Sequence, residues 1–195
     1  MLVAQAAALS SFAVELSAIS EPELPGLVDY LEQGPALPFH YVSIHAPSKQ
    51  RQGDEAHRIA QLADVLRRVD AIVVHPDTIG DVRHYAPLGR RLVLENMDTR
   101  KTFGHRAADL LPLFERLPSA GLCLDVAHAK DVDPTMAVAR ELLDAFPGRL
   151  RQVHVSSLDA EQHHVPLTPG DEELFAPVLD RCRDVPWILE APPPS

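Results

Sequence analysis

Ala71-Ile-Val-Val-His-Pro76 is an apolar, mostly β-branched run closed by a single imidazole. A strand that is apolar at every position, rather than at alternate ones, is covered on both faces, as in a parallel sheet with helices packed against it. The pattern recurs in both directions along the chain. Phe12–Ile19 and Phe39–His45 lie upstream, and Arg91–Glu95, Gly121–Asp125, Leu150–Val155 and Pro186–Glu190 lie downstream. Leu92-Val-Leu94 and Trp187-Ile-Leu189 share the unbroken apolarity.

Between these strands the apolar period lengthens to that of a helix. Asp54 to Val69 carries Ile59, Leu62, Ala63, Leu66 and Val69 at helical spacing, with acids in its first turn. Asp133-Pro134 before Met136–Phe146 reads as an N-cap followed by proline at the first helical position. Glu21–Leu31, His105–Leu117 and Glu172–Arg183 complete the helices, while Asp77–Gly89 reads as a short helix or loop. Strands and helices in alternation predict βαβ units and a parallel sheet. The fold expected is α/β, a (β/α) TIM-type barrel spanning 1–195 as one domain. A full barrel has eight strands and about 250 residues, so this one is short, with its first strand missing or reduced to Met1–Ala8. A doubly wound open sheet is the other candidate, disfavoured because no glycine-rich phosphate loop follows the first strand.

The bulk composition is that of a soluble globular chain: 195 residues, 46% hydrophobic and 24% charged. Cys123 and Cys182 suggest no disulfide framework, and Cys123 lies within an apolar run, as a buried inert thiol would. Met1–Ile19 is apolar but has no Lys or Arg and is interrupted by Glu15, unlike a secretory leader. No run is long enough to cross a membrane, so a cytoplasmic location is the expectation. The net charge of −10, from 18 basic and 28 acidic residues, argues against a general nucleic-acid binder. Bound divalent cations would weaken that argument.

The polar residues fall at one end of the strands. His45, His75, Glu95, Asp125, His154 and Glu190 each close an apolar strand or sit in its last residues. Parallel strands of a barrel share one C-terminal face, so these six should converge there. Singly, each has an ordinary structural role: a hydrogen-bonded imidazole, a Glu paired with Arg, or, for Asp125, a turn cap. Together they would repel or go unsatisfied without a cation, and imidazoles with carboxylates are ligands for Zn, Mn and Fe(II). His128 lies three residues beyond Asp125, and Glu161 with His163 and His164 follows the strand of His154. His40, His57, His84 and His105 have no such placement and read as surface or packing residues. Lys49 and Arg51, in the loop after His45, are candidates for an anionic substrate, weighed against plain solvated charges.

Tyr41-Val-Ser-Ile-His-Ala46, Val73-Val-His-Pro76, Val93-Leu-Glu-Asn96, Leu122-Cys-Leu-Asp-Val-Ala-His128, Val153-His-Val155, Gln162-His-His164 and Ile188-Leu-Glu-Ala-Pro192 resemble the xylose isomerase-like barrel superfamily. Within it they are most similar to the endonuclease IV (AP endonuclease family 2) branch, from about Phe12 to Pro192. The resemblance implies two to three divalent ions per chain, Zn foremost, with Mn, Fe or Mg as alternatives. His45, His75 and Glu95 would hold the first, and Glu95, Asp125, His154 and Glu190 the second. His128, Glu161 and His163 would hold the third, with Asp159 as a substitute for Glu161. Asn96 would join Lys49 and Arg51 at the substrate.

Two enzymatic readings and one non-enzymatic reading follow. The first is metal-assisted hydrolysis of a phosphate ester by a di- or trinuclear site with Glu95 as bridging carboxylate. Its substrate would be a small phosphorylated or sugar compound, or damaged DNA. The second is a sugar or sugar-phosphate isomerase or epimerase with one metal, Glu95 and Glu190 as acid and base, and His128 on substrate hydroxyls. The third is a non-catalytic remnant. The missing strand suggests homo-oligomerisation as one way to complete the barrel.

Overall fold

The computed structural model describes residues 2–191; the proline run at 192–194 lies outside them. The chain opens with a helix, α1 (Leu2–Leu9), where the sequence reading placed a vestigial first strand. Alanine, the strongest helix former, fills that segment. Strand β1 (Ala13–Ser17) and helix α2 (Leu24–Glu32) come next, then β2 (Tyr41–His45) and α3 (Glu55–Asp64). Strand β3 (Ala71–Val74) is followed by β4 (Leu92–Glu95), α4 (Ala107–Arg116), β5 (Gly121–Asp125), α5 (Val126–Val132), α6 (Ala137–Ala145) and β6 (Leu150–Val155). A small antiparallel hairpin, β7 (Ser157–Leu158) with β8 (His164–Val165), precedes α7 (Pro169–Leu179) and the last strand, β9 (Trp187–Leu189).

All seven expected strands are present, trimmed to the residues that find ladder partners, and they form one parallel sheet in the order β1-β2-β3-β4-β5-β6-β9. β1 and β9 approach within 8 Å, Cα to Cα, without pairing. The result is a nearly closed (β/α) barrel of seven strands. On its outer face at this seam Phe12, Trp187 and Leu189 are exposed.

Local chemistry sets the helix ends. Asp54 caps α3 by accepting the Ala56 N–H. α7 begins three residues earlier than periodicity suggests, because Thr168 and Asp171 form a reciprocal capping box and Pro169 fits the first turn. The expected Asp133 cap of α6 is not formed. Asp133 instead ends α5 and accepts from Thr135, and the chain enters α6 through Met136 in a left-handed conformation (φ 60°). Asp77–Gly89 overlaps 3-10 helix at Pro76–Thr78 and again within Val82–Arg91, which is broken by a kink at Gly89 (φ 55°), and forms no α-helix.

Two cores follow from the strict alternation of strand side chains. Ile72, Val74, Leu92, Leu94, Leu122 and Leu124 pack outward under the helices. The other parity points into the lumen, where Ala71, Val73, Val93 and Cys123 form a small cluster with Tyr41 against it. Counting on by twos from these lumen residues reaches His75, Glu95, Asp125 and His45. The parity that fills the lumen therefore aims the strand-end groups at one another.

Candidate metal centre

The six strand-end residues meet at the C-terminal mouth of the barrel. His45 Nε2 and His75 Nε2 each stand 3.3 Å from Glu95 Oε2. The other oxygen, Oε1, is 3.3 Å from His154 Nδ1 and from His128 Nδ1. Glu190 Oε1 lies 3.1 Å from His154 Nδ1. Side-chain donor atoms draw together in three groups: His45, His75 and Glu95; Glu95, Asp125, His154 and Glu190; and Asp125, His128 and His164. Glu95 and Asp125 each belong to two groups.

Several of these atoms are buried without a hydrogen bond: Glu95 Oε2, Asp125 Oδ2, Glu190 Oε2 and His75 Nδ1. Stranded polar atoms cost about 1–3 kcal/mol each, and divalent cations held by the groups to which these carboxylates belong would satisfy their oxygens. The imidazoles are set for this. His45 Nδ1 donates to the Ala46 carbonyl at 2.9 Å and His128 Nδ1 to the Asn96 carbonyl at 2.9 Å, leaving Nε2 of each with a free lone pair. The donor set fits Zn, Mn or Fe(II).

Without a cation, the clustered acids and imidazoles act on one another. Burial pushes the Asp125 carboxyl up to about 8, with Glu190 and Glu95 adding to the rise. Burial also opposes Glu190, but His154 overrides it and holds the carboxyl down to about 2. His45 is disfavoured as a cation by burial, yet Glu95 lifts it to about 9. With protein charges alone, burial favours the neutral form of Asp125 among the clustered acids.

The remaining expected residues separate. Glu161 is exposed and His163, its side chain 75% exposed, pairs with Asp159 instead of joining the cluster. His164 takes that place: in the hairpin it pairs opposite Leu158, and its Nδ1 lies 2.7 Å from Ser156 Oγ and 3.2 Å from Glu190 Oε2. Two adjacent histidines occupy both strand parities, so only the hairpin register chooses between them. Asn96 is fully buried and spends its amide on the Asp125 backbone, donating to the carbonyl and accepting the N–H; it is a clamp between β4 and β5, not a substrate contact. Arg51 donates to the Thr78 carbonyl and does not line the pocket. Lys49 does line it, exposed and without a side-chain partner among the described residues.

The sequence reading missed two further carboxylates. Glu15 lies in the lumen with its side chain 5% exposed, 3.3 Å from His154 Nε2. Its signal was an acid inside the otherwise uncharged strand Ala13-Val-Glu-Leu-Ser17. Asp98, buried in the loop after β4, faces His128 Nε2 at 3.6 Å and is bound by Arg100; no periodicity marks it. Over the cluster lies a cavity of about 890 Å³, rimmed by Lys49, Arg100 and Lys101.

A family model described as the xylose isomerase-like TIM barrel matches residues 26–195, and the chain belongs to that family. A search of curated proteins finds no match. Among solved structures, a D-psicose 3-epimerase from Clostridium cellulolyticum H10, with D-tagatose, is similar at 13% identity and TM-score 0.57, over 97% of this chain and 78% of that one. A D-psicose 3-epimerase in the presence of D-fructose gives 13% and 0.60, over 100% and 79%. The structure named AsfvAP:AG gives 15% and 0.56, over 94% and 79%. At these identities the likeness establishes the fold. No helix among the described residues is long and apolar enough to cross a membrane.

Proposed function

We propose that the chain is a divalent-metal-dependent hydrolase of a phosphate ester, with zinc as the metal and two or three ions per chain. The observation that carries this reading is the division of Glu95, whose Oε2 faces His45 and His75 while its Oε1 faces His154. A carboxylate with separate imidazoles on its two oxygens could bridge two cations. Such ions supply charge for a phosphoryl oxygen and lower the pKa of water.

The chain's own groups divide the remaining work. His45, His75, Asp125, His128, His154, His164 and Glu190 would orient the ions. Glu190, held ionised and 18% exposed at the pocket, is placed to accept a proton from an attacking water. Lys49 at the rim suits an anionic substrate, whereas Arg100 and Lys101 beside it are already paired with Asp98 and Asp77. The net charge of −10 favours a small phosphodiester or sugar phosphate over duplex DNA.

The isomerase or epimerase reading rests on one group alone, Glu95, Asp125, His154 and Glu190. Metal analysis separates the two. Two or three equivalents of zinc per purified chain, with turnover of a generic phosphodiester, are expected. One equivalent, with turnover of ketoses and none of phosphodiesters or abasic DNA, would overturn the hydrolase reading.

A further inference from the structure

We infer that Glu15 is a positioning residue, which fixes the ring of His154 so that its Nδ1, rather than Nε2, is presented to the cation. The inference rests on the metal site proposed above. The His154 imidazole is fully buried between two sets of carboxylates. Its Nδ1 faces Glu95 and Glu190 at 3.3 and 3.1 Å, and its Nε2 faces both Glu15 oxygens at 3.3 Å. A neutral imidazole carries one proton, and an acceptor beside one nitrogen leaves the lone pair on the other. Glu15 therefore favours the proton on Nε2 and the free lone pair on the side of Glu95, Asp125 and Glu190.

The carboxylate is itself held. Ser43 Oγ donates to Glu15 Oε2 at 2.8 Å from the residue directly paired with it on β2. Gln152 Nε2 donates to the same oxygen at 2.8 Å, and Gln152 Oε1 accepts the Tyr41 hydroxyl at 2.8 Å. Tyr41, Gln152 and Glu15 thus form a chain across the lumen beneath His154. Gln152 Nε2 also lies 2.8 Å from His154 Nε2 and competes with Glu15 for that nitrogen: an amide N–H donated there would demand the opposite tautomer. With a cation at Nδ1 the proton must sit on Nε2, where a carboxylate accepts it and an amide N–H cannot. Carboxylate partners of this kind change metal affinity by about 10–100-fold.

The test is zinc affinity and histidine tautomer in wild type, Glu15→Gln and Glu15→Leu. Competition with a chromophoric chelator should show affinity lowered about 10-fold or more in Glu15→Leu and by less in Glu15→Gln, whose amide oxygen can still accept. Long-range 15N–1H spectra of zinc-loaded wild type should show His154 with its proton on Nε2, assigned by the signal lost in His154→Gln. This needs no change at Glu15, so a variant that fails to fold leaves the inference testable. A proton on Nδ1, or unchanged zinc affinity in both folded variants, overturns the role of Glu15 while leaving the metal site intact. Wild type that binds no zinc overturns the metal site and this role with it. Zinc bound without hydrolysis of phosphodiesters, together with weakened binding in Glu15→Leu, overturns the hydrolase reading and supports this one.

Discussion

The lumen beneath the candidate metal centre is made in two ways. On the side of β3, β4 and β5 it is filled by Ala71, Val73, Val93 and Cys123, a dry wall that supports His75, Glu95 and Asp125 by packing. On the side of β1, β2 and β6 it is filled by Glu15, Ser43 and Gln152, with the Tyr41 hydroxyl bonded to Gln152, a hydrogen-bonded wall beneath His45 and His154. The dry wall belongs to strands buried at every residue. The polar wall includes β1, whose residues are part-exposed although the Glu15 carboxylate is buried. Packing holds a side chain through shape, whereas a polar network also dictates which atom of a ring carries a proton. Ligands whose orientation alone matters can stand on the first, and a ligand whose tautomer matters gains from the second.

The largest effect expected is on activity, and it tests whether the two walls serve one site. His45→Ala, from the polar side, and His75→Ala, from the dry side, should each reduce phosphodiester hydrolysis to background and lower bound zinc by one equivalent, measured by elemental analysis. Loss from only one of them would divide the site along the line between the walls. Next, Val93→Ala should cost about 1–3 kcal/mol in urea unfolding, through lost burial and the cavity left behind, with zinc content unchanged. A loss of zinc there would mean that the dry wall also tunes the ligands.

Outside the lumen, Asp171 shows what a polar contact contributes away from the candidate metal centre. Burial opposes its carboxylate, but Lys130 and Thr168 outweigh burial and hold it down to about 2. A carboxyl held low adds stability that is fully present above its unfolded pKa of about 3.9 and lost as pH falls through about 2. Asp171→Asn should therefore cost about 1–2 kcal/mol at pH 6 and little at pH 2, read from denaturation midpoints at both pH values. The smallest effect is expected from Tyr41→Phe, which removes the donor to Gln152 Oε1 and should cost about 1 kcal/mol. Near-silence in stability together with weakened zinc affinity would show that the polar wall acts on the metal site more than on the fold.

Legibility differed by kind of residue. His45, His75, Glu95, Asp125 and Glu190 could be read because each ends an apolar run, and His154 because it lies between two valines at the end of its strand. Asn96 was placed at the substrate through the family resemblance; only the cross-strand distance to the Asp125 backbone shows that both ends of its amide are already used. Asp133-Pro134 carried a sound capping signal, but α5 extends to Val132 and takes Asp133 as its own end. The hairpin and α5 itself were missed because both are short, α5 starting directly from the strand whose last residue caps it.

The amino-acid order on its own determined the parallel strands, their number and the end at which their polar groups lie, because continuous apolarity and helical periodicity are local properties that survive any arrangement of the pieces. Tertiary structure alone decided that His164 and not His163 turns toward Glu190, that Glu15 reaches beneath His154 from across the lumen, and that β1 and β9 stay unpaired. Those outcomes depend on the register between segments far apart in the chain, and a shift of one residue would have turned each side chain to the opposite face.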